Sequence, residues 1–271
     1  MSFNMILVAC DFRPESFTAL LHAVTLAERS TAGLLLLHLT SAPDEDDDAT
    51  KKMILLQDEL KKHFQGDIRT LVREGDIMDI GKIADQEQCT LVVMPTHGMQ
   101  GMQQFTGSLA LTVVSESRIP FFIVQPGSVA ENGYRRIVIP VEFRKELLDE
   151  AGLFVKVAKM FSSEVYLVSN ARSAPANDDH MLSDLREKFT SEGITVHMDS
   201  SNKFDFSKAV AEYAASVKAD LICAVNFARE TLYAVTPRTD EEDLIYNKAG
   251  ISVLLITPEE KEEDVKEPLW E

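Results

Sequence analysis

Basic residues are scarce in this chain: 27 lysines and arginines stand against 44 aspartates and glutamates, for a net charge of −17. That field repels nucleic-acid backbones and anionic membranes, so neither is an expected partner, and any bound phosphate must be held by local N–H groups. Cysteine is rarer. Cys10, Cys89 and Cys223 are an odd number, lie in or beside apolar runs and lack metal-type spacing, which points away from a redox or zinc role and toward core thiols in a reducing cytosol. No apolar run approaches the roughly 20 residues that a membrane helix needs. Met-Ser-Phe-Asn runs straight into a strand, without the basic start and cleavage site of a signal peptide, so a cytoplasmic protein is the expectation. What is present is ordinary for a globular chain, 271 residues at 45% hydrophobic and 26% charged, with length for about two domains.

Strand and helix patterns alternate. Residues 5–10 form a continuous apolar run that ends at Asp11, the pattern of a strand buried on both faces. Apolar residues at helical spacing from Ser16 to Glu28 follow, with Ser16 available as a cap. Next come a strand over Leu34–Leu39, an acidic run Asp44–Asp48 expected to be a solvated loop, a helix over about Thr50–Phe64 and a strand over Ile68–Arg73. A helix over Ile77–Gln88, a strand from Leu91 to Met94 and a last strand over Pro120–Gln125 complete the half. Solid apolar strands alternating with helices predict right-handed βαβ units and a parallel sheet covered on both faces.

After a linker at 126–133 the pattern starts again. Arg136-Ile-Val-Ile-Pro-Val-Glu142 mirrors the first strand 131 residues on, putting Glu142 in the place of Asp11. Ala219–Val225 matches Cys89–Pro95 at an offset of 130, and Gly250–Pro258 matches Arg118–Pro126 at 132. Such steady offsets predict an internal duplication: one domain over 1–127, a second over 134–258, and an acidic tail over 259–271 that carries the lone tryptophan, Trp270.

The stretch with the most chemistry lies between Leu91 and Pro126. A buried strand empties into a segment with Gly98, Gly101 and Gly107, and Ser108 opens a helical run. Glycines let a backbone approach an anion, and the first free N–H groups of the following helix point at it with the favourable end of the dipole. Ser108 suits an N-cap or a phosphate donor. No lysine of the P-loop type stands in this segment, so phosphoryl transfer has little support. Asp11, at the end of the first strand, is either a ligand contact or a cap for the helix that follows. His97 has no Ser, Cys or carboxylate at a fixed spacing and reads as a turn residue rather than a general base. His38 reads as a satisfied core residue and His22 as a helix residue near the same sheet. Met94, Met99 and Met102 offer a soft lining, for packing or for an adaptable surface.

The order of strand, Asp and helix, then Leu-His-Leu on the second strand, then Thr-His-Gly, Gly-Ser and a closing Pro-Phe-Phe-Ile-Val strand resembles the universal stress protein family over about residues 4–258, as two tandem copies. The resemblance implies an α/β fold of two tandem adenine-nucleotide-hydrolase-like (Rossmann-like) domains, each a five-stranded, mostly parallel sheet flanked by helices. It also implies ATP or a related adenine nucleotide, with or without Mg2+, at the carboxyl ends of the strands. Carried over by position, Asp11 would meet ribose hydroxyls or a metal, Ala9 and Cys10 would lie alongside the base, Leu39 would touch it, and Met94 would cover adenine or ribose. Pro95, Gly98, Gly107, Ser108, Leu109 and Ala110 would line the phosphate loop. Two departures stand out. Pro95 occupies the place of the family's first glycine, and the spacer Met99–Thr106 is one residue short.

The second copy departs further: residues 225–243 contain no glycine, and Thr239-Asp-Glu-Glu-Asp243 replaces the Gly-Ser pair. Carboxylates there satisfy the helix start from within and repel a triphosphate, so ATP is expected in the first copy only. Family domains pair, often through their last strands, which implies an intrachain pseudo-dimer, open to further homo-oligomer formation, with protein partners the residues do not identify. The expected function is a non-enzymatic, nucleotide-binding stress-response module, at most a slow ATPase. The alternative is a nucleotide-free scaffold with both sites degenerate.

Overall fold

The computed structural model describes residues 3–42, 46–96, 107–130, 133–174, 180–226 and 240–258, and for 107–109 and 240–242 the backbone. In chain order the first half contains β1 (Met5–Ala9), α1 (Pro14–Ser30), β2 (Gly33–Thr40), α2 (Asp46–Leu60), β3 (Ile68–Glu74), α3 (Ile80–Gln86), β4 (Leu91–Pro95), α4 (Gly107–Ser115) and β5 (Phe121–Val124). The second contains β6 (Arg136–Val141), α5 (Lys145–Phe161), β7 (Glu164–Asn170), α6 (His180–Thr190), β8 (Val196–Ser201), α7 (Phe206–Ser216), β9 (Leu221–Val225), α8 (Asp240–Ile245) and β10 (Ser252–Ile256).

The five-stranded units are not separate sheets. All strands within each half run parallel, and β5 pairs antiparallel with β10 at Leu254↔Phe122, giving one ten-stranded sheet in the order β3-β2-β1-β4-β5-β10-β9-β6-β7-β8. Alternation along each strand feeds two apolar layers. One face packs Leu20 and Leu26 of α1, Met53 of α2, Phe154 of α5 and Phe189 of α6. The other packs Ile83 of α3, Val113 of α4, Val210 of α7 and Ile245 of α8.

Three local expectations change. The acidic run is not all loop: Asp46, Asp47 and Asp48 form the first turn of α2, where negative charge suits the dipole, and Asp46 accepts a 2.7 Å bond from Thr40 Oγ1. Ser16 is not a cap. The helix starts two residues earlier on Pro14, whose missing N–H costs nothing at that position, and Ser16 Oγ donates to Arg13 O. The segment after β3 opens with a 3-10 turn over Ile77–Asp79, closed by reciprocal bonds between Asp76 and Asp79, before α3 begins.

The halves match down to their strained residues. Six non-glycine residues have positive φ among those described, and they form three pairs: Phe12 with Phe143, Thr31 with Ser162, and Gln88 with Lys218. Each costs about 1–2 kcal/mol in the left-handed region, so the same turns are imposed twice on side chains that disfavour them.

A partly buried polar chain stitches the halves. Ser252 Oγ donates to Ser128 Oγ (3.2 Å) and Ser128 Oγ donates to Gln125 O (2.7 Å). With its proton committed, Ser128 accepts from His22 Nε2 at 3.0 Å, and Tyr134 Oη donates to His22 Nδ1 at 2.7 Å. His22 is therefore the neutral Nε2–H tautomer, and burial pushes its pKa down to about 4.

Candidate functional site

The crevice lies where the chain leaves β1 for α1 and β4 for the glycine segment, the switch point of the first half. Phe12 turns the backbone at φ 63, and its ring lies 4.7 Å from that of His38. His38 Nδ1 sits 2.6 Å from Cys10 O; the carbonyl only accepts, so Nδ1 carries the proton, and His38 is the satisfied core residue the strand pattern predicts. The Lys52 ammonium stands 5.7 Å over the other ring, Phe12, and pairs with Asp48 at 2.6 Å.

Asp11 closes the turn. Its Oδ1 accepts from Arg13 N at 3.1 Å, and Arg13 Nε lies 3.8 Å from Oδ2, too far for a hydrogen bond. The carboxylate is 4% exposed, and Oδ2 is the one buried side-chain oxygen among the described residues without a hydrogen-bond partner. A buried acceptor left in this state costs about 1–3 kcal/mol or more, and more for a charge, unless a donor arrives. Asp11 thus closes the turn before α1 rather than capping the helix, and keeps one oxygen in reserve.

The remaining sequence candidates separate. Ala9, Leu39, Met94 and Ala110 meet in one apolar layer, where Met94 and Ala110 are fully buried and serve as core walls. Cys10 belongs to the opposite layer; burial first and the neighbouring Asp11 second push its thiol up to about 12, so it stays neutral. Cys89 is also pushed up to about 12 and Cys223 well above the usual thiol range, both mainly by burial, consistent with core thiols. Gly98 lies outside the described residues, as do His97, Met99 and Met102 and the side chains of Ser108 and Leu109; Gly107 is the first residue of α4.

Beside the turn, an open cleft of about 150 Å³ runs between the start of α1 and the ends of β4 and β5, lined by Pro14, Glu15, Thr18, Pro95, Gln125 and Gly127 among others. Pro95 explains part of the opening. Val92 N and Thr96 N donate to Pro120 O and Val124 O on the β5 side, so alternation turns the missing N–H of Pro95 toward β1, and the β1–β4 pairing stops at Val8↔Val93. The second half achieves the same with the other strand. Cys10 N bonds Leu37 O on β2, so Ala9 faces β4, and its counterpart Pro140 lacks the N–H that would face β9. There pairing stops one step sooner, at Val138↔Ile222, and a recess of only about 10 Å³, room for about one water, lies among Pro140, Glu142, Arg144, Leu147 and Leu244. Phe12 and Arg13 had no signal in the sequence beyond their closeness to Asp11, and Lys52, 41 residues on, had none. Among the described residues no three His, Cys, Asp or Glu side chains are placed to hold a metal ion, and no helix is long and apolar enough to cross a membrane.

Residues 2–125 match the Universal stress protein family. Among solved structures, a universal stress protein from Archaeoglobus fulgidus DSM 4304 is 14% identical and superposes with a TM-score of 0.73 over 95% of this chain and 97% of its own. A protein of unknown function from Pseudomonas aeruginosa PAO1, also 14% identical, gives 0.67 over 94% of this chain and 93% of its own. The cytoplasmic domain of a prokaryotic cation chloride cotransporter, 11% identical, gives 0.52 over 94% and 95%. At these identities the likeness is one of fold: all three share the architecture across both halves. No curated protein matches the chain.

Proposed function

We propose that this chain, which belongs over residues 2–125 to the Universal stress protein family, is a regulatory module that binds ATP or a related adenine nucleotide in its first half alone and alters its contacts with other proteins when occupied. The observation that carries the reading is Asp11: a buried carboxylate oxygen lacking a donor, at the end of the strand that neighbours β4, is the acceptor that a pair of ribose hydroxyls would satisfy. The free N–H groups at the start of α4 supply donors for phosphate oxygens, and Arg13 and Lys52 are the cations near the mouth, each beside an acid, Asp11 and Asp48. Magnesium would arrive with the nucleotide. The chain is read as two copies of one domain, over 1–127 and 134–258, with an acidic extension over 259–271. The second is silent because α8 opens on Asp240, Glu241, Glu242 and Asp243, where α4 opens on Gly107 and Ser108.

The role is binding rather than catalysis, since no lysine stands between Leu91 and Ser115 and His97 has no partner at a fixed spacing. Isothermal titration with ATP, ADP, AMP and cyclic nucleotides in magnesium buffer tests it. Binding at one site per chain, lost in Asp11→Ala, is expected; no heat with any of them overturns the reading. Pro95, which removes one N–H from the loop entrance, favours the rival reading of a nucleotide-free scaffold, and that absence of heat is its expected outcome.

A further inference from the structure

The two ends of the ten-stranded sheet are built differently. At one end β3 carries Arg69 and Arg73, which bond Asp67 at 3.0 Å and Gln86 at 2.9 Å, and its Leu71 and Val72 are half-buried. Basic side chains of this kind guard an edge strand. At the other end β8 has neither lysine nor arginine, its residues 197–200 are all exposed, and Met198 is 46% exposed. The ladder decides which of its backbone groups are open. Val165 N donates to Thr195 O and Ala171 N to Ser201 O, so in this parallel pairing residues 195, 197, 199 and 201 bond β7, while Val196, Met198 and Ser200 turn their N–H and C=O groups outward. Asp199 Oδ1 accepts from Ser200 N at 2.7 Å and closes that position. Val196 and Met198 stay open.

The side chains along this edge sort by face. Val196 and Met198 form an apolar strip on the face of α5 and α6. On the other face His197 stacks on Tyr166 of β7 at 4.4 Å, and Tyr213 of α7 meets Tyr166 edge-on at 6.4 Å. Glu164 accepts from Tyr166 Oη at 3.0 Å and from His197 Nε2 at 3.2 Å, and these bonds hold its carboxyl below the usual range, so it stays charged. Asp199 adds a second acid beside Tyr213. Arg136 reaches the cluster from β6, the side away from the edge. Acids set among aromatic rings attract a cation by charge and by the ring quadrupole together. At the places of Tyr166 and Asp199 the first half has Leu35 and Leu71, so the cluster belongs to the second half alone.

We propose that β8 is a docking edge for an extended segment of a partner protein in which basic and apolar residues alternate. The backbone of that segment pairs with Val196 and Met198, its apolar side chains lie beside theirs, and its lysines or arginines lie beside His197 and Asp199. Main-chain bonds supply the affinity and the alternation supplies the choice. The net charge of −17 favours a basic strand and disfavours a second copy of this acidic chain, while Arg69 and Arg73 turn the same strand away from β3. The proposal does not depend on the nucleotide site.

The probe is a synthetic peptide of alternating lysine and valine, set against its glutamate–valine counterpart and added to the full chain, with amide exchange and affinity as the readouts. The Val196 and Met198 amides, open in the free chain, are expected to slow about tenfold or more at saturation, and the glutamate peptide to leave them unchanged. Met198→Pro removes one outward N–H without touching the ladder to β7 and should weaken binding about tenfold. Asp199→Asn keeps the acceptor for Ser200 N and drops the charge, for a loss of about threefold. Amides 196 and 198 that do not respond, equal binding of the glutamate peptide, or protection that falls on β3 instead overturns the proposal. So does protection of the same amides that grows with protein concentration in the absence of peptide, which would make the occupant a second copy. Should Met198→Pro fail to fold, the exchange pattern and Asp199→Asn carry the test.

Discussion

The first and second halves share strand order, the three left-handed turns and an acid two residues ahead of an arginine, Asp11-Phe-Arg13 and Glu142-Phe-Arg144, yet they treat their switch points differently. In the first the proline sits on β4, the cleft is larger, and α4 opens on Gly-Ser. In the second the proline sits on β6, the recess is smaller, and α8 opens on four consecutive acids. The scaffold tolerates a broken β-ladder on either side of the crevice, but only in the first half does the break accompany a cleft with room for more than about one water.

The largest effect should come from the seam where the two halves meet. Phe122 faces Leu254 in the β5–β10 pairing, and its ring also packs 5.2 Å from Tyr134 and 5.9 Å from His22. Phe122→Ala should cost about 3–5 kcal/mol in urea unfolding, and Leu254→Ala, which lacks those ring contacts, less. Equal losses would mean that the seam is symmetric in energy as well as in register.

Next in size is a response to acid that the second half lacks, because Leu153 stands where the first half has His22. The folded imidazole titrates at about 4 and the unfolded one near 6.5. Between these values the unfolded chain holds the extra proton, so stability falls as pH drops from 6.5 to 4 and this contribution changes no further below that. The full loss is about 3 kcal/mol, and unfolding measured across that range in the wild type and His22→Leu should show the slope reduced in the variant. A smaller effect should follow from transplanting the second half's proline. Ala9→Pro strands a buried β4 carbonyl and should cost about 1–3 kcal/mol in the same assay. No cost would show that the N–H of Ala9 contributes nothing to holding β1 against β4.

Much of this comparison was legible beforehand. Continuous apolar runs marked β1, β2, β4 and β5 and their repeats β6, β9 and β10, whereas β8, Val-His-Met-Asp-Ser-Ser, has no such run and β7 and β8 went unmarked; constant offsets tied Glu142 to Asp11. The acidic opening of α8 was readable because charge at a helix start has a local meaning. The contacts that join the halves were not. Tyr246 to Thr96 and Asn226 to Ser115 span 150 and 111 residues with no periodicity to announce them. The start of α2 on Asp46 was hidden because an acidic run reads equally as a solvated loop or a favourable first turn. The left-handed Phe12 was hidden because no local rule places an aromatic there; its ring contacts with His38 and Lys52 become visible only in the folded chain.

The central claim, one working site and one silenced, is tested most directly by native mass spectrometry of the full chain incubated with ATP and magnesium, beside a Ser108→Asp variant that gives α4 the opening of α8. One nucleotide per wild-type chain and none on the variant is the expected result. Two nucleotides per chain, none on the wild type, or undiminished occupancy of the variant would contradict it.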